Sequence, residues 1–150
     1  MKLSIELVPK TSWYSNVRSN VSTGEWDIIR KISYKKANYC CEICGEKGKA
    51  QGYPHDLECH EIWEYNDIDF IQKLVGLISL CPNCHTVKHP GLAQIKGKGD
   101  LVIHQLSKVN KISIDEAKKY LSDCFEIWRR RSKNEYHLDI TYLQTYNYNK

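Results

Sequence analysis

Two Cys-x-x-Cys pairs, Cys41/Cys44 and Cys81/Cys84, constrain this chain more than any other feature of its sequence. Each pair is well formed locally. Gly45 follows the first and supplies the unusual backbone angle that lets amides point at the sulfurs. Pro82 lies inside the second and suits the first position of a helix. Together the pairs offer the four thiolates that tetrahedral zinc prefers in structural sites. The segment between them, Gly45 to Leu80, is longer than in a simple zinc ribbon, and a β-hairpin would account for its length. Two other readings compete. A thioredoxin-like redox motif needs a βαβ context, which neither pair has. The thiols could also be buried and unligated. Of the seven cysteines, Cys40 is a spare with poorer spacing to Cys44 than Cys41 has, and Cys124 reads as a small core residue. Disulfides are not expected in a reducing compartment.

The 150 residues suit a single domain, and 41% hydrophobic with 27% charged residues suits a soluble globular chain. No stretch approaches the roughly 18 consecutive apolar residues of a membrane span, and Met1 to Trp13 lack a secretory apolar region. A cytoplasmic protein with no membrane partner is expected. The net charge of +4 permits nucleic-acid binding without demanding it. Basic residues gather at Arg30, Lys31, Lys35 and Lys36, at Lys88, Lys96 and Lys98, and at Arg129 to Arg131. Lys88, Lys96, Lys98, Arg129 and Arg130 are the candidates for contact with a nucleic-acid backbone. The plainer reading of each cluster is a solvated helix face.

Along the chain, an irregular arm precedes a capping box, Ser22 with Glu25, that opens a helix to about Asn38. Leu57 to Trp63 reads as a strand with Leu57, Cys59 and Glu61 on one face and Glu58, His60 and Ile62 on the other. A turn at Asn66 to Asp69 leads to an extended segment, Phe70 to Leu80, interrupted by Gly76. A helix from Pro82 runs to about His89, where Pro90 and Gly91 stop it. Helix resumes after Gly99, and a second capping box, Ser113 with Glu116, opens a long helix. That helix carries Ala117, Tyr120, Leu121, Cys124, Phe125 and Trp128 on an apolar face and ends at Arg131. Short structure is expected around Leu138 to Leu143. The fold class is α+β in one domain, 1–150. An N-terminal arm and helix (1–38) and a C-terminal helical extension (96–150) flank a knuckle-bearing core (39–95).

His85 and His89 are four apart at the start of the helix after the second knuckle, so both imidazoles share one face. A zinc ion clamping strand to helix would bring His60 to them. A pair at this spacing taken alone is equally an exposed helix face.

Three segments, Cys41-Glu-Ile-Cys44-Gly45, Leu57-Glu-Cys-His-Glu-Ile62 and Leu80-Cys-Pro-Asn-Cys-His-Thr-Val-Lys-His89, resemble the HNH, or His-Me finger, nucleases in their zinc-knuckle-bearing branch. The resemblance covers about Tyr39 to Leu92. It implies a ββα-metal core, a hairpin followed by a helix, stabilised by a structural Zn²⁺ on Cys41, Cys44, Cys81 and Cys84. It implies hydrolysis of DNA phosphodiester bonds with His60 as general base. His85 and His89, joined by Cys59, would hold a catalytic divalent ion (Mg²⁺, Mn²⁺, Ni²⁺ or Zn²⁺). Two departures stand out. Cys59 replaces the family's Asp or His and is a soft ligand better suited to zinc than magnesium. In a register slipped by one, His60 becomes the metal ligand and Glu61 takes the base position. Gly76 stands where the family commonly carries Asn, a place Asn66 could fill from the turn. The alternatives are a catalytically degenerate zinc module that binds nucleic acid and a zinc-stabilised domain that binds a protein partner. A homodimer stays open, and so does any sequence preference, because phosphate contacts carry no base information.

Overall fold

Both capping boxes form as their sequences predict. The Ser22 hydroxyl accepts from the Glu25 amide at 3.2 Å, and the Glu25 carboxylate accepts from the Ser22 amide at 2.7 Å. The computed structural model of the chain describes residues 1–146; residues 147–150 of the expected C-terminal extension lie outside the described residues. Helix α1 spans Thr23–Lys36. It ends before Asn38 because Asn38 and Tyr39 both take positive φ, 50° and 56°, and turn the chain into the first knuckle. The equivalent box at Ser113 and Glu116 opens α5, Ile114–Arg131.

Between these helices lies a small mixed sheet. Strands β1 (Glu58–Asn66) and β2 (Ile71–Leu80) pair antiparallel, with Glu58 opposite Leu80 and Asn66 opposite Ile71. The Asn66 side chain closes the hairpin turn, accepting from the Ile68 and Asp69 amides at 2.9 and 3.0 Å. The register shifts after Ile62, which faces Gly76, while Trp63 faces Leu74. Val75 is thereby left over as a bulge in β2. A Cβ on Gly76 would lie 3.3 Å from the Ile62 side chain, so glycine eases the crossing at the bulge. A third strand, β3 (His137–Asp139), adds parallel to β2.

The second knuckle runs directly into α2, Pro82–Lys88, with Cys81 as its N-cap. Pro90 stops α2 as expected, but it also starts another helix, α3 (Pro90–Ile95), because its fixed φ suits a first helical position. Helix α4 spans Gly99–Asn110. Two apolar clusters result. One surrounds the cysteine pairs and gathers Leu3, Ile5, Leu80, Val87, Val102, Leu106 and Ala117. The other lies under the far end of the hairpin and gathers Val17, Ile29, Trp63, Leu74 and Leu143.

The N-terminal arm is irregular, as predicted, yet firmly tied. The Asn110 side chain brackets Leu3, accepting from its amide at 2.8 Å and donating to its carbonyl at 2.9 Å. The Tyr120 hydroxyl accepts from the Ile5 amide at 2.9 Å. These bonds replace the missing strand partners of a segment whose Leu3 is fully buried. Among the described residues, no helix is long and apolar enough to cross a membrane.

Candidate metal centres and the cavity beside them

The first knuckle is a backbone-built turn. Gly45 takes φ 78°, its amide donates to the Cys41 carbonyl at 2.8 Å, and the Cys41 amide donates to the Glu46 carbonyl at 3.1 Å. Glu42 docks the turn on β2: its amide donates to the Ser79 carbonyl at 3.0 Å, and its carboxylate accepts from the Ser79 amide at 2.6 Å. The second knuckle is the first turn of α2, where the His85 amide donates to the Cys81 carbonyl at 2.9 Å.

The two turns meet. The sulfurs of Cys41, Cys44, Cys81 and Cys84 all lie within 4.8 Å of one another, and those of Cys44 and Cys81 are 3.5 Å apart. A tetrahedral zinc with Zn–S of about 2.3 Å requires sulfurs roughly 3.8 Å apart, so the cluster could hold a zinc ion. Two amides face the sulfurs from outside the pairs: Gln51 Nε2 lies 3.3 Å from Cys81 Sγ and Gln105 Nε2 lies 3.2 Å from Cys84 Sγ. Gln105 is buried, and a thiolate is the acceptor that gives its amide a use there. Hydrogen bonds from Cys81 and Cys84 pull the Cys41 thiol far below its ordinary value, while burial pushes Cys44 up to about 12. Four sulfurs packed this closely repel one another as thiolates, which is the electrostatic condition a dication relieves.

One helical turn further on, His60, His85 and His89 form a second group, with one ring nitrogen from each within 4.8 Å of the others. The His60 ring lies 5.4 Å from that of His85 and 5.1 Å from that of His89, and the two helix histidines are 4.7 Å apart. Strand alternation turns Glu58 and His60 towards α2. Glu58 accepts from His85 Nδ1 and, at 2.9 Å, from His55 Nε2. The bond to Nδ1 leaves His85 Nε2 free to ligate, the arrangement by which outer carboxylates orient metal-binding imidazoles. The same bond holds Glu58 down at about 2. Burial, followed by the His89 and His85 charges, keeps His60 well below its usual value. His89 keeps an exposed edge, yet its ring lies among packed neighbours. Desolvation and the His85 charge bring it to about 4. Two of the three imidazoles are thus held neutral, the form that binds metal.

Cys59 does not join this group. It lies on the opposite face of β1, against Ser33 and Tyr34 of α1, where burial pushes its thiol up to about 11. The expectation that it ligates the second ion is corrected: residues adjacent in a strand face opposite ways. Glu61 shares the Cys59 face. It accepts from the Val17 amide at 2.8 Å and from Trp63 Nε1 at 3.2 Å, and burial raises its pKa. Asn66 is committed to the hairpin turn, about 20 Å along β1 from His60 at ~3.4 Å per residue, so it cannot stand in for the residue that Gly76 replaces.

The expected backbone-binding residues separate. Lys88 is 6% exposed and ion-paired with Glu6 at 2.8 Å, so it is a buried anchor for the N-terminal arm and unavailable to a phosphate. Lys96, Lys98, Arg129 and Arg130 are exposed. Lys98 stands 5.5 Å over the Tyr53 ring, and Arg130 reaches Asp67 at 3.4 Å. Beside the histidines opens a cavity of about 970 Å³, lined by His60, Glu61, His85 and His89 and by aromatic rings from the arm, α1 and α5.

Glu58, Gln51 and Gln105 were not foreseen as supporting residues. Only Glu58 left a signal, as the same-face neighbour of His60. No family model, curated protein or solved structure matches the chain.

Proposed function

We propose that the protein is a metal-dependent endonuclease of the HNH type that hydrolyses DNA phosphodiester bonds, with a zinc ion on the four cysteines as its structural clamp. The observation that carries this reading is the convergence of His60 from the hairpin with His85 and His89 from α2, oriented by Glu58, at the wall of an open cavity. Three imidazoles with a free side are a donor set for a divalent ion that keeps a position for substrate. A scaffold needing only its zinc has no use for them. The antiparallel hairpin followed by α2 supports the ββα reading that the resemblance implies.

A divalent ion bound there would stabilise charge on a scissile phosphate and on the leaving oxygen. The chain's own groups supply the rest. Glu58 fixes the tautomer of His85. Burial keeps His60 unprotonated. We assign His60 to the ion, the reverse of the preference drawn from sequence, because the His60 ring packs against both helix imidazoles. Glu61 does not take the base position that the slipped register offers it: it lies on the opposite face of β1, where its two carboxylate oxygens already accept from Val17 and Trp63.

Plasmid nicking in the presence of Mg²⁺, Mn²⁺, Ni²⁺ or Zn²⁺ tests the reading. The parent is expected to cut with at least one ion, and a His85→Ala, His89→Ala double variant of unchanged circular dichroism is expected not to. Cutting by both refutes the site. Cutting by neither, with retained salt-sensitive DNA binding, moves the protein to the degenerate binding module.

A further inference from the structure

The cavity beside the histidines has a wall that phosphodiester chemistry does not call for. Trp13, Trp26, Phe125 and Trp128 all line it. Two of these rings are fixed by a single atom: Trp13 Nε1 donates to the Val8 carbonyl at 3.2 Å, and Trp128 Nε1 donates to the same oxygen at 3.0 Å. One carbonyl with two lone pairs therefore sets the orientation of an indole from the arm and an indole from α5. Phe125 stacks edge-on against Trp128 at 6.0 Å. Trp13 nevertheless leaves 55% of its surface in solvent, a large apolar area to hold rigid and uncovered.

The charge around this wall is committed to the protein's own rings and carboxylates: Lys10 stands 5.1 Å over the Trp128 ring. Of the cations lining the cavity, Lys88 is neutralised by Glu6, and Arg18 stands 6.0 Å over the Trp26 ring. A site that gripped a duplex through its phosphates would present a longer row of free Lys and Arg. Rings rigidly placed next to a phosphate-binding centre suit a different substrate. An unpaired base has an open π-face to stack, whereas the bases of a duplex keep their faces against each other.

We propose that Trp13 and Trp128 form a stacking wall for an unpaired base of single-stranded nucleic acid whose adjacent phosphate lies at the three-histidine group. The inference rests on the phosphodiesterase reading and narrows its substrate class. Trp13 is the specificity element, because more than half of its surface is open and its own N–H is already satisfied within the protein. Trp128 backs it from the helix.

The test uses the 150-residue chain with one equivalent of zinc and no other divalent ion, so that the histidines stay without an ion and binding is read without cutting. Fluorescence anisotropy compares a labelled oligothymidylate with a duplex of the same length, and free thymidine monophosphate serves as competitor. The oligothymidylate is expected to bind more tightly than the duplex. Trp13→Ala is expected to weaken it about 5- to 150-fold, the range for loss of one base–aromatic stack. Trp13→Phe, which keeps a ring, should recover most of that loss. Unchanged melting of both variants confirms that the exposed ring is not a folding determinant. Equal affinity for duplex and single strand overturns the proposal, as does a Trp13→Ala effect within about twofold. Competition by the mononucleotide as strong as by the oligomer would overturn it in favour of a nucleotide pocket. If the protein nicks plasmid while Trp13→Ala changes nothing, the stacking wall is wrong and the nuclease reading stands. If no nucleic acid binds and no ion supports cutting, both fall.

Discussion

Helix α2 carries candidate ligands of two kinds within two turns, Cys81 and Cys84 at its start and His85 and His89 after them. The two sites it serves differ in every physical respect. The cysteine site has four soft donors, is mostly buried, and receives outer hydrogen bonds from Gln51 and Gln105. The histidine site has three donors, an exposed edge at His89 and a cavity at its side. Four closed ligands leave a metal nothing to do but hold the fold, and three ligands with an open side leave it a coordination position. The pairing also explains how a helix as short as α2 can position a site at all. Alone it would be marginal in water, but the knuckle pins its first turn to the hairpin that delivers His60. In this account the first site is the rigid support of the second.

The contrast is open to attack on both sides. The largest effect is expected at the cysteines. Cys84→Ser, or a strong chelator, should abolish cooperative melting, because apparent zinc affinities of ~10–16 kcal/mol in small zinc modules match or exceed the whole stability of a domain. Circular dichroism and zinc content read this directly, and native melting in the variant would remove the clamp from the account. Next, His85→Ala should keep the fold and the zinc while lowering cleavage about 100-fold or more, the scale of several kcal/mol of lost charge stabilisation. Loss of the zinc in that variant would mean that the two sites are one. Glu58→Gln should weaken the second ion about 10- to 100-fold, measured by calorimetry, while the cysteine site is untouched. Gln105→Leu should do the opposite, lowering the melting temperature by about 2–4 °C for the loss of roughly 1 kcal/mol without altering the histidine site.

The smallest effect is one of slope with pH. His89 is held at about 4, whereas a free imidazole titrates near 6.5. Between those values the unfolded chain binds more protons than the folded one, so this residue makes stability fall as pH falls through that window. His89→Asn, compared with the parent at one equivalent of zinc, should show the shallower fall. Equal slopes would mean that the imidazole is not desolvated.

How much of this could be read from the chain depended on how local each signal was. The cysteine pairs, both capping boxes and the His85/His89 face are encoded within a few residues, and each formed. The meeting of His60 with those two is what a zinc ion clamping the strand to the helix implies. Strand parity placed Cys59 away from them, against the family pattern that would have made it a ligand. Long-range pairing left no such mark. Leu3 and Ile5 belong to the core through Asn110 and Tyr120, and nothing in the arm's own sequence announces that. Lys88 reads as one more surface cation until Glu6 closes over it. The parallel pairing of β3 with β2 joins segments far apart in the chain, and the shared hydrogen bonds of Trp13 and Trp128 to Val8 do the same.

Whether the cysteines and the histidines hold separate ions is read most directly from metal stoichiometry, by native mass spectrometry of the zinc-saturated parent set beside the His85→Ala, His89→Ala double variant. Two ions are expected in the parent and one in the variant, with the remaining ion resisting mild chelation and the variant's circular dichroism unchanged. One ion in both proteins would contradict that, leaving the three histidines without a metal and the cavity without its chemistry.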